Sequence, residues 1–418
     1  MEDGMRAWAL LENWLSFHAI CIRFDRNYGI VKRHLLIGLA VAAVCVAAGI
    51  LVVNRRHSEG SRYQGKSLQA WCLQLYGSPD QRARDEAEAA MKSFGPKAVP
   101  DLVKLLQAQD SVFHQRLWSV APRFPFQLRR FVFKHVRWPD AAGIRGGAAR
   151  SLGIIGVEAK AAIPELAQAL RDKNRQVCWD AASALGRMGK EATPALVEAL
   201  GDKMATVRHA AAYGLGQIGP AADAAIPALA QALKDQDEGV GVSSAYSLSR
   251  MGNASLPALL TVIEHERGPA RRAAARALTW LHPPAAAVVS ALLNMLQDRD
   301  ASARQQAIET LSALRGIGTN VIDAFTAALK DPASDVRLAA VKVLGQFSWK
   351  AQQAVPGLTD CLSDESPVVR ESSARTLGAI GVAANPAVPE LIRLTRSAPE
   401  PVRAAAEEAL VKIGGVQP

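Results

Sequence analysis

Glu264, His265 and Glu266 stand side by side, and carboxylates with an imidazole are the ligand types that hold a divalent metal or move protons. Consecutive residues do not share a helix face, so this triplet reads as a solvated turn. The other histidines are scattered and no HExxH occurs. The acids Asp85, Glu86 and Glu88 fall where a helix would show its solvent face, which gives them a structural role before an acid-base one. The chain has neither a P-loop nor a dinucleotide-binding glycine pattern, because the glycines of RGGAARS at 145–151 lack a preceding strand. Asn253-Ala254-Ser255 matches a glycosylation sequon, a pattern short enough to recur by chance. Cys21, Cys45, Cys72, Cys178 and Cys361 are odd in number, widely spaced and without a CxxC pair, so neither a disulfide framework nor a zinc site is indicated. No catalytic residue, metal or cofactor is assigned.

With chemistry unassigned, the elements that would position a binding surface carry the reading. Apolar residues make up 49% of the 418 and aromatics only 6%, so burial must rest on many small alanine and leucine contacts, as between closely packed helices. The net charge of +10 points toward an anionic partner, but its distribution is uneven. Cations outnumber acids by 15 to 8 over 54–142 and by only 29 to 27 over 143–418.

Residues 35–53, LLIGLAVAAVCVAAGILVV, are uncharged and flanked by Lys32, Arg33, Arg55 and Arg56. At about 1.5 Å per residue a helix of this length spans the roughly 30 Å hydrocarbon core, which predicts a transmembrane helix. The run is longer than a cleavable signal core of about 7 to 15 residues and ends in Arg55-Arg56, which favours an uncleaved anchor. Four cations lie within twenty residues on each side, so charge barely orients it. Residues 1–34 read irregularly. A start near Val31 would leave a short KRH segment before the run, leaning toward an extracytoplasmic carboxyl side. Residues 54–65 are read as a linker.

Internal repetition organises the rest. DKMATVRHAAAYGLGQIG at 202–219, DPASDVRLAAVKVLGQFS at 331–348 and DESPVVRESSARTLGAIG at 364–381 are one pattern. Arg271, Arg304, Arg337, Arg370 and Arg403 lie 33 residues apart, with Arg208 in the same series and Cys178 and Gly241 in arginine's place. Pro164, Pro194, Pro227, Pro257, Pro356 and Pro389 precede these landmarks and mark helix starts, where a missing N–H costs nothing. Asp172, Asp202, Asp235, Asp298, Asp331 and Asp364 sit in the following turn or N-cap. Small and apolar residues three, four, seven and ten places after each landmark line one face of a second helix, as Ala211, Ala212, Leu215 and Ile218 do. Each unit is a helix, a turn and a helix that encloses its face only by stacking.

The pattern resembles HEAT repeats, in particular the short HEAT-like repeats of phycobilisome lyase-type proteins, over roughly 66–418. The resemblance implies an all-α fold, an α-solenoid of about ten helix-turn-helix repeats, irregular over 66–160 and regular over 161–418. It also implies that the recurrent acids and arginines brace turns, a role carried to Asp202 with Arg208, Asp331 with Arg337 and Asp364 with Arg370. Cys178 and Gly241 depart from it, so repeats three and five should be braced differently. Glu407 stands where other units have Ala, Ile or Val, as suits a terminal repeat.

Second helices line the concave surface of HEAT arrays. Positions one, five and nine after each landmark bring together Trp179, Arg187, His209, Tyr213, Gln217, Tyr246, Arg250, Arg272, Arg276 and Trp280 in the first half, and mixed polar residues later. Trp, Tyr and Arg are the types enriched at binding hot spots. A second departure is an insertion at 111–139, between a first helix near Val99 and a second at 148–156. It contains Arg123, Arg129, Arg130, Phe131, Phe133, Lys134, Arg137 and Trp138 and no acid. Three readings stand: an amphipathic segment on an anionic bilayer, a protein or nucleic-acid contact, or a helical pair capping the solenoid. The expectation is a single-pass membrane protein, not an enzyme, acting as a scaffold that captures a protein partner. The alternatives are a lyase-like or chromophore-handling protein, or nucleic-acid or anionic-membrane binding through the basic surface.

Overall fold

The computed structural model describes residues 62–109, 141–281, 285–314 and 321–414. The expected membrane span at 35–53, the segment 1–34 and the insertion at 111–139 lie outside these residues. Among the described residues no helix is long and apolar enough to cross a membrane.

Among the described residues twenty α-helices follow a small hairpin, β1 (Arg62–Tyr63) and β2 (Lys66–Ser67), which takes up the end of the segment read as linker. Gln64 and Gly65 both have positive φ, the two-residue turn whose twist suits a hairpin. The helices are α1 (Leu68–Gly77), α2 (Gln81–Phe94), α3 (Val99–Leu106), α4 (Ala141–Ile155), α5 (Ile163–Ala169), α6 (Arg175–Met188) and α7 (Thr193–Ala199). Next come α8 (Ala205–Ile218), α9 (Ile226–Ala232), α10 (Glu238–Arg250), α11 (Leu256–His265), α12 (Gly268–Leu281) and α13 (Ala285–Met295). The last are α14 (Ala301–Ala313), α15 (Ile322–Ala328), α16 (Ser334–Phe347), α17 (Val355–Cys361), α18 (Pro367–Ile380), α19 (Val388–Ser397) and α20 (Glu400–Gly414).

From α3 onward the helices alternate between two layers. Even-numbered second helices pack in sequence, α4 on α6, α6 on α8 and so on to α18 on α20, and each packs on its own first helix. The opening pair is reversed: α1 packs more extensively than α2 against α4 and begins the second-helix layer. A sequence pattern of helix pairs does not carry that order. Prolines occupy the first turns of α3, α5, α7, α9, α11, α17 and α19, as their spacing predicts.

The core is alanine and leucine along its length. Ala211, Ala212, Leu215, Ala340, Val341 and Leu344 are fully buried, while Ile218 and Phe347 are half-buried. Trp71 and Phe325 are the large aromatic exceptions. Trp71 closes the amino-terminal end: its Nε1 donates to the Tyr63 carbonyl at 3.1 Å, and Tyr63 packs on both Trp71 and Phe94.

The leucine-glycine-x-isoleucine-glycine signature divides between two jobs. The first glycine lets second helices approach: a Cβ on Gly378 would lie 3.0 Å from the Ala409 backbone. The second, such as Gly219 at φ 69°, turns the chain into a short 3-10 segment leading to the next first helix. That segment has seven residues at Gly156–Ala162 and Gly219–Ala225 but four at Gly189–Ala192 and Gly252–Ser255. One 3-10 turn of about three residues is therefore missing where the landmarks close up from 33 to 30. Ser348 replaces the glycine at φ 48° and ψ −129°, a backbone region that a Cβ makes unfavourable.

Candidate functional site

The turns between paired helices carry a regular ion-pair ladder, wired differently from the sequence expectation. Arg208 donates from Nε and Nη2 to Asp235 of the next repeat, both at 2.6 Å, and from Nη1 to the carbonyl of Asp202 at 2.9 Å. Arg337 does the same with the Asp364 carboxylate and the Asp331 carbonyl, as Arg304 does with Asp331 and Asp298. Arg370 reaches the Asp364 carbonyl at 2.6 Å. The pairs Asp202 with Arg208, Asp331 with Arg337 and Asp364 with Arg370 thus meet through main-chain carbonyls, and the carboxylates belong to the preceding repeat's cation. Six residues within one turn carry the guanidinium past the side chain to the carbonyl, whereas stacking sets the next turn's carboxylate alongside.

Each of these aspartates also accepts the backbone N–H two residues on, for example Asp235 from Asp237 and Asp364 from Ser366, both at 2.8 Å. They are turn residues placed two before the helix N-caps. Arg208 holds the Asp235 carboxyl below its ordinary range against the opposing effect of burial. At Asp331 and Asp364 burial pushes upward, and the hydrogen bonds from Arg304 and Arg337, with the turn N–H, outweigh it.

Repeats three and five are braced by other residues. Cys178 donates its thiol to the Asp172 carbonyl at 3.1 Å, the bond arginine makes elsewhere. Arg171 takes the Asp202 carboxylate at 2.5 Å, and in the corresponding place Lys234 meets Glu266 at 2.5 Å. Among the described residues the ladder begins at Arg145, which grips both oxygens of Asp172. Sequence reasoning missed Arg145, although counting 33 back from Cys178 would have reached it.

The glutamate-histidine-glutamate triplet is dispersed: Glu264 is exposed, His265 Nδ1 lies 3.0 Å from the Thr261 carbonyl, and Glu266 pairs with Lys234. Among the described residues no three His, Cys, Asp or Glu side chains gather as a metal site. Burial pushes the Cys72 thiol up to about 12 and the Cys361 thiol to about 11, unsuited to a nucleophile at neutral pH.

The aromatic positions do come together across neighbouring second helices. Trp179 on α6 meets His209 and Tyr213 on α8 edge to face, with ring centroids 4.8 and 5.2 Å apart. Tyr246 on α10 meets Trp280 on α12 at 6.0 Å. Such contacts add stability beyond area alone, by about 0.5–1.5 kcal/mol each. Trp179, His209 and Tyr213 are half-buried, while Tyr246 and Trp280 stay 38% and 41% exposed, high for rings already in contact. Burial lowers the His209 imidazole from its ordinary value, Asp237 opposes this and Arg175 adds to it.

Around these rings Arg187 and Arg250 are exposed and Arg276 half-buried, with no carboxylate paired to them among the described residues. Gln217 is exposed between them, and Arg272 pairs with Asp300. One side chain missed by the position count is Arg150 on α4, which stacks over Tyr76 and donates to Asp180 at 2.9 Å. The later second helices carry more ion pairs, although Lys342 on α16 is exposed without a carboxylate paired to it among the described residues. Arg375 bridges Glu371 and Glu408, Lys412 also meets Glu408, and Gln305 donates to Glu309.

Two layers of stacked helix pairs with a braced turn at each joint define a helical-repeat solenoid. A family model described as HEAT repeats matches residues 139–216, 193–279, 256–333 and 322–411, and the chain belongs to the HEAT repeat family. That match speaks for HEAT repeats in general and not for the phycobilisome lyase type. No curated protein matches the chain. Among solved structures it is similar to Kap121p at 15% identity and a TM-score of 0.51, covering 83% of this chain and 45% of that one. Kap121p bound to Nup53p is similar at 14% identity and a TM-score of 0.50, with the same coverage. An engineered protein is 20% identical over 82% of this chain and 98% of its own, with a TM-score of 0.37. The chain spans less than half the length of Kap121p, and the likeness concerns the fold.

Proposed function

We propose that this chain is a non-enzymatic scaffold that captures a protein partner on the second-helix face of α6, α8, α10 and α12, the concave face if the array curves as HEAT solenoids do. The observation that carries this is the half-exposed aromatic row Trp179, His209, Tyr213, Tyr246 and Trp280, flanked by arginines without carboxylate partners. Large rings with polar edges at a helix surface give a partner much contact area at little entropic cost. Kap121p, a solenoid of similar fold, is seen bound to Nup53p, which supports a protein ligand for an array of this kind. The apolar run at 35–53 would hold the scaffold at a membrane as a single span, with the solenoid on the extracytoplasmic side.

Changing Trp179, Tyr213, Tyr246 and Arg276 together to alanine should abolish co-purification of the partner from solubilised membranes, with the helical circular dichroism retained and the melting transition lowered but still cooperative, as the lost ring contacts require. Undiminished co-purification by a folded variant would refute the reading. Nucleic acid recovered in place of protein, with a steep salt dependence, would move the function to the basic-surface alternative. Protease added to intact cells should digest the solenoid; protection until the membrane is opened would place it inside.

A further inference from the structure

The second-helix face changes its electrostatic character along the array, and the change identifies the chemistry of what it holds. On α6, α8, α10 and α12 the outward positions one, five and nine contain no acid, and Arg187, Arg250 and Arg276 have no carboxylate partner among the described residues. Three acids of these helices and their turns are already engaged: Asp180 is buried against Arg150, Asp300 pairs with Arg272, and Asp237 caps α10, while Glu191 is exposed in the turn after α6. Glu238 is exposed at the amino-terminal edge of α10, away from the row formed by Arg187 and Arg250 at the helix ends. On α14, α16, α18 and α20 acids and cations alternate, and Lys342 shares a shallow groove with Glu309 and Asp335.

Helix dipoles favour cations in a last turn and would account for Arg187 and Arg250 taken singly. The same position holds Gln217, Trp280, Ala313, Gln346 and Ala379 on other second helices, so the fold does not require a cation there. Arg276 lies mid-helix, where the dipole argument fails. What distinguishes two of these arginines is their place one helical turn from an exposed ring, Arg250 after Tyr246 and Arg276 before Trp280, so that a cation and an apolar surface are offered side by side.

Resting on the capture surface proposed above, we infer that its occupant is an extended acidic segment of a partner protein, with carboxylates interleaved with apolar or aromatic residues. The geometry sets its length. Adjacent packed helices lie roughly 9 Å apart, so crossing from α6 to α12 covers on the order of 27 Å, which an extended chain spans in about eight residues. Arg187 and Arg250, two helices apart, then engage acids about five or six residues apart, and the intervening apolar side chains meet Tyr213, Tyr246 and Trp280.

The test uses the purified full chain and fluorescence anisotropy with three labelled twelve-residue peptides that share leucine and phenylalanine positions and carry glutamate, glutamine or lysine between them. The glutamate peptide should bind at least tenfold more tightly than the lysine peptide. Its affinity should fall at least tenfold in R187E/R250E/R276E and by an intermediate factor in the milder R187Q/R250Q/R276Q, both checked for native melting. Lys342→Glu should change it less than twofold. Equal binding of the glutamate and lysine peptides, or affinity unchanged in both arginine variants, overturns the inference. So does tighter binding of a labelled twenty-nucleotide single strand or of phosphatidylserine vesicles that depends on the same arginines. If no peptide binds while the aromatic variant still loses its co-purified protein, the inference falls and the capture surface stands. If co-purification is also unaffected, both fall.

Discussion

Arg337→Ala should destabilise the carboxyl-terminal repeats by about 3–5 kcal/mol, the usual cost of removing one partner from a buried ion pair. Arg337 is 8% exposed, and its partner Asp364 is equally enclosed. Truncation leaves Asp364 charged without its guanidinium and leaves the carbonyls of Asp331 and Pro332 without a donor. The loss should be local, because each repeat contacts chiefly its neighbours. Urea unfolding should show a new early transition, and hydrogen exchange should assign it to α16–α20. Arg375→Ala, which removes an exposed bridge to Glu371 and Glu408, should cost no more than about 1 kcal/mol. A value below about 1 kcal/mol for Arg337→Ala would mean that the ladder does not brace the array.

The pH dependence of that penalty follows from the direction of the Asp364 shift. Burial raises its carboxyl, but Arg337 and the Ser366 N–H lower it further, so the folded value lies below the unfolded one. A depressed carboxyl contributes stability that is complete above the unfolded value of about 4 and is lost as pH falls through the folded value. Wild type and variant should therefore differ most at neutral pH and converge as the pH drops below about 4, where the abandoned carboxylate is protonated in the variant.

Gly147→Ala should cost about 3 kcal/mol, at the upper end for overpacking. A Cβ at Gly147 would fall 2.2 Å from the carbonyl oxygen of Cys72 and 2.6 Å from its carbon, so α1 itself must move. Moving α1 disturbs the packing of Trp71 and the amino-terminal end of the solenoid. Exchange protection should fall across α1 and α2 while α8 onward keeps its own. Gly77→Ala, with nothing within 4 Å of the new carbon, should be neutral or slightly stabilising, as expected for alanine in a helix. A Gly147→Ala variant as stable as Gly77→Ala would show that α1 does not approach α4 so closely.

The aromatic row was legible because positions one, five and nine after each landmark must share a helix face. The spacing did not reveal that Trp179 packs on both His209 and Tyr213, nor that Tyr246 and Trp280 stay more exposed than those rings, since these depend on how far adjacent helices are offset. That other residues substitute for arginine in repeats three and five follows from Cys178 and Gly241, but nothing in the repeat points to Arg171 and Lys234. They precede the recurrent aspartates rather than follow them, and nothing local ties them to Asp202 or Glu266.

By itself the sequence determined the repeat, its helix starts at proline, its turns at aspartate and its alanine-leucine faces, because each rests on local backbone chemistry or helical periodicity. Tertiary structure alone decided which aspartate each arginine holds, that α1 rather than α2 opens the second-helix layer, and which arginines remain without a carboxylate. Those outcomes are set by stacking, which brings a neighbouring turn 27 residues away closer to the guanidinium than the carboxylate six residues before it.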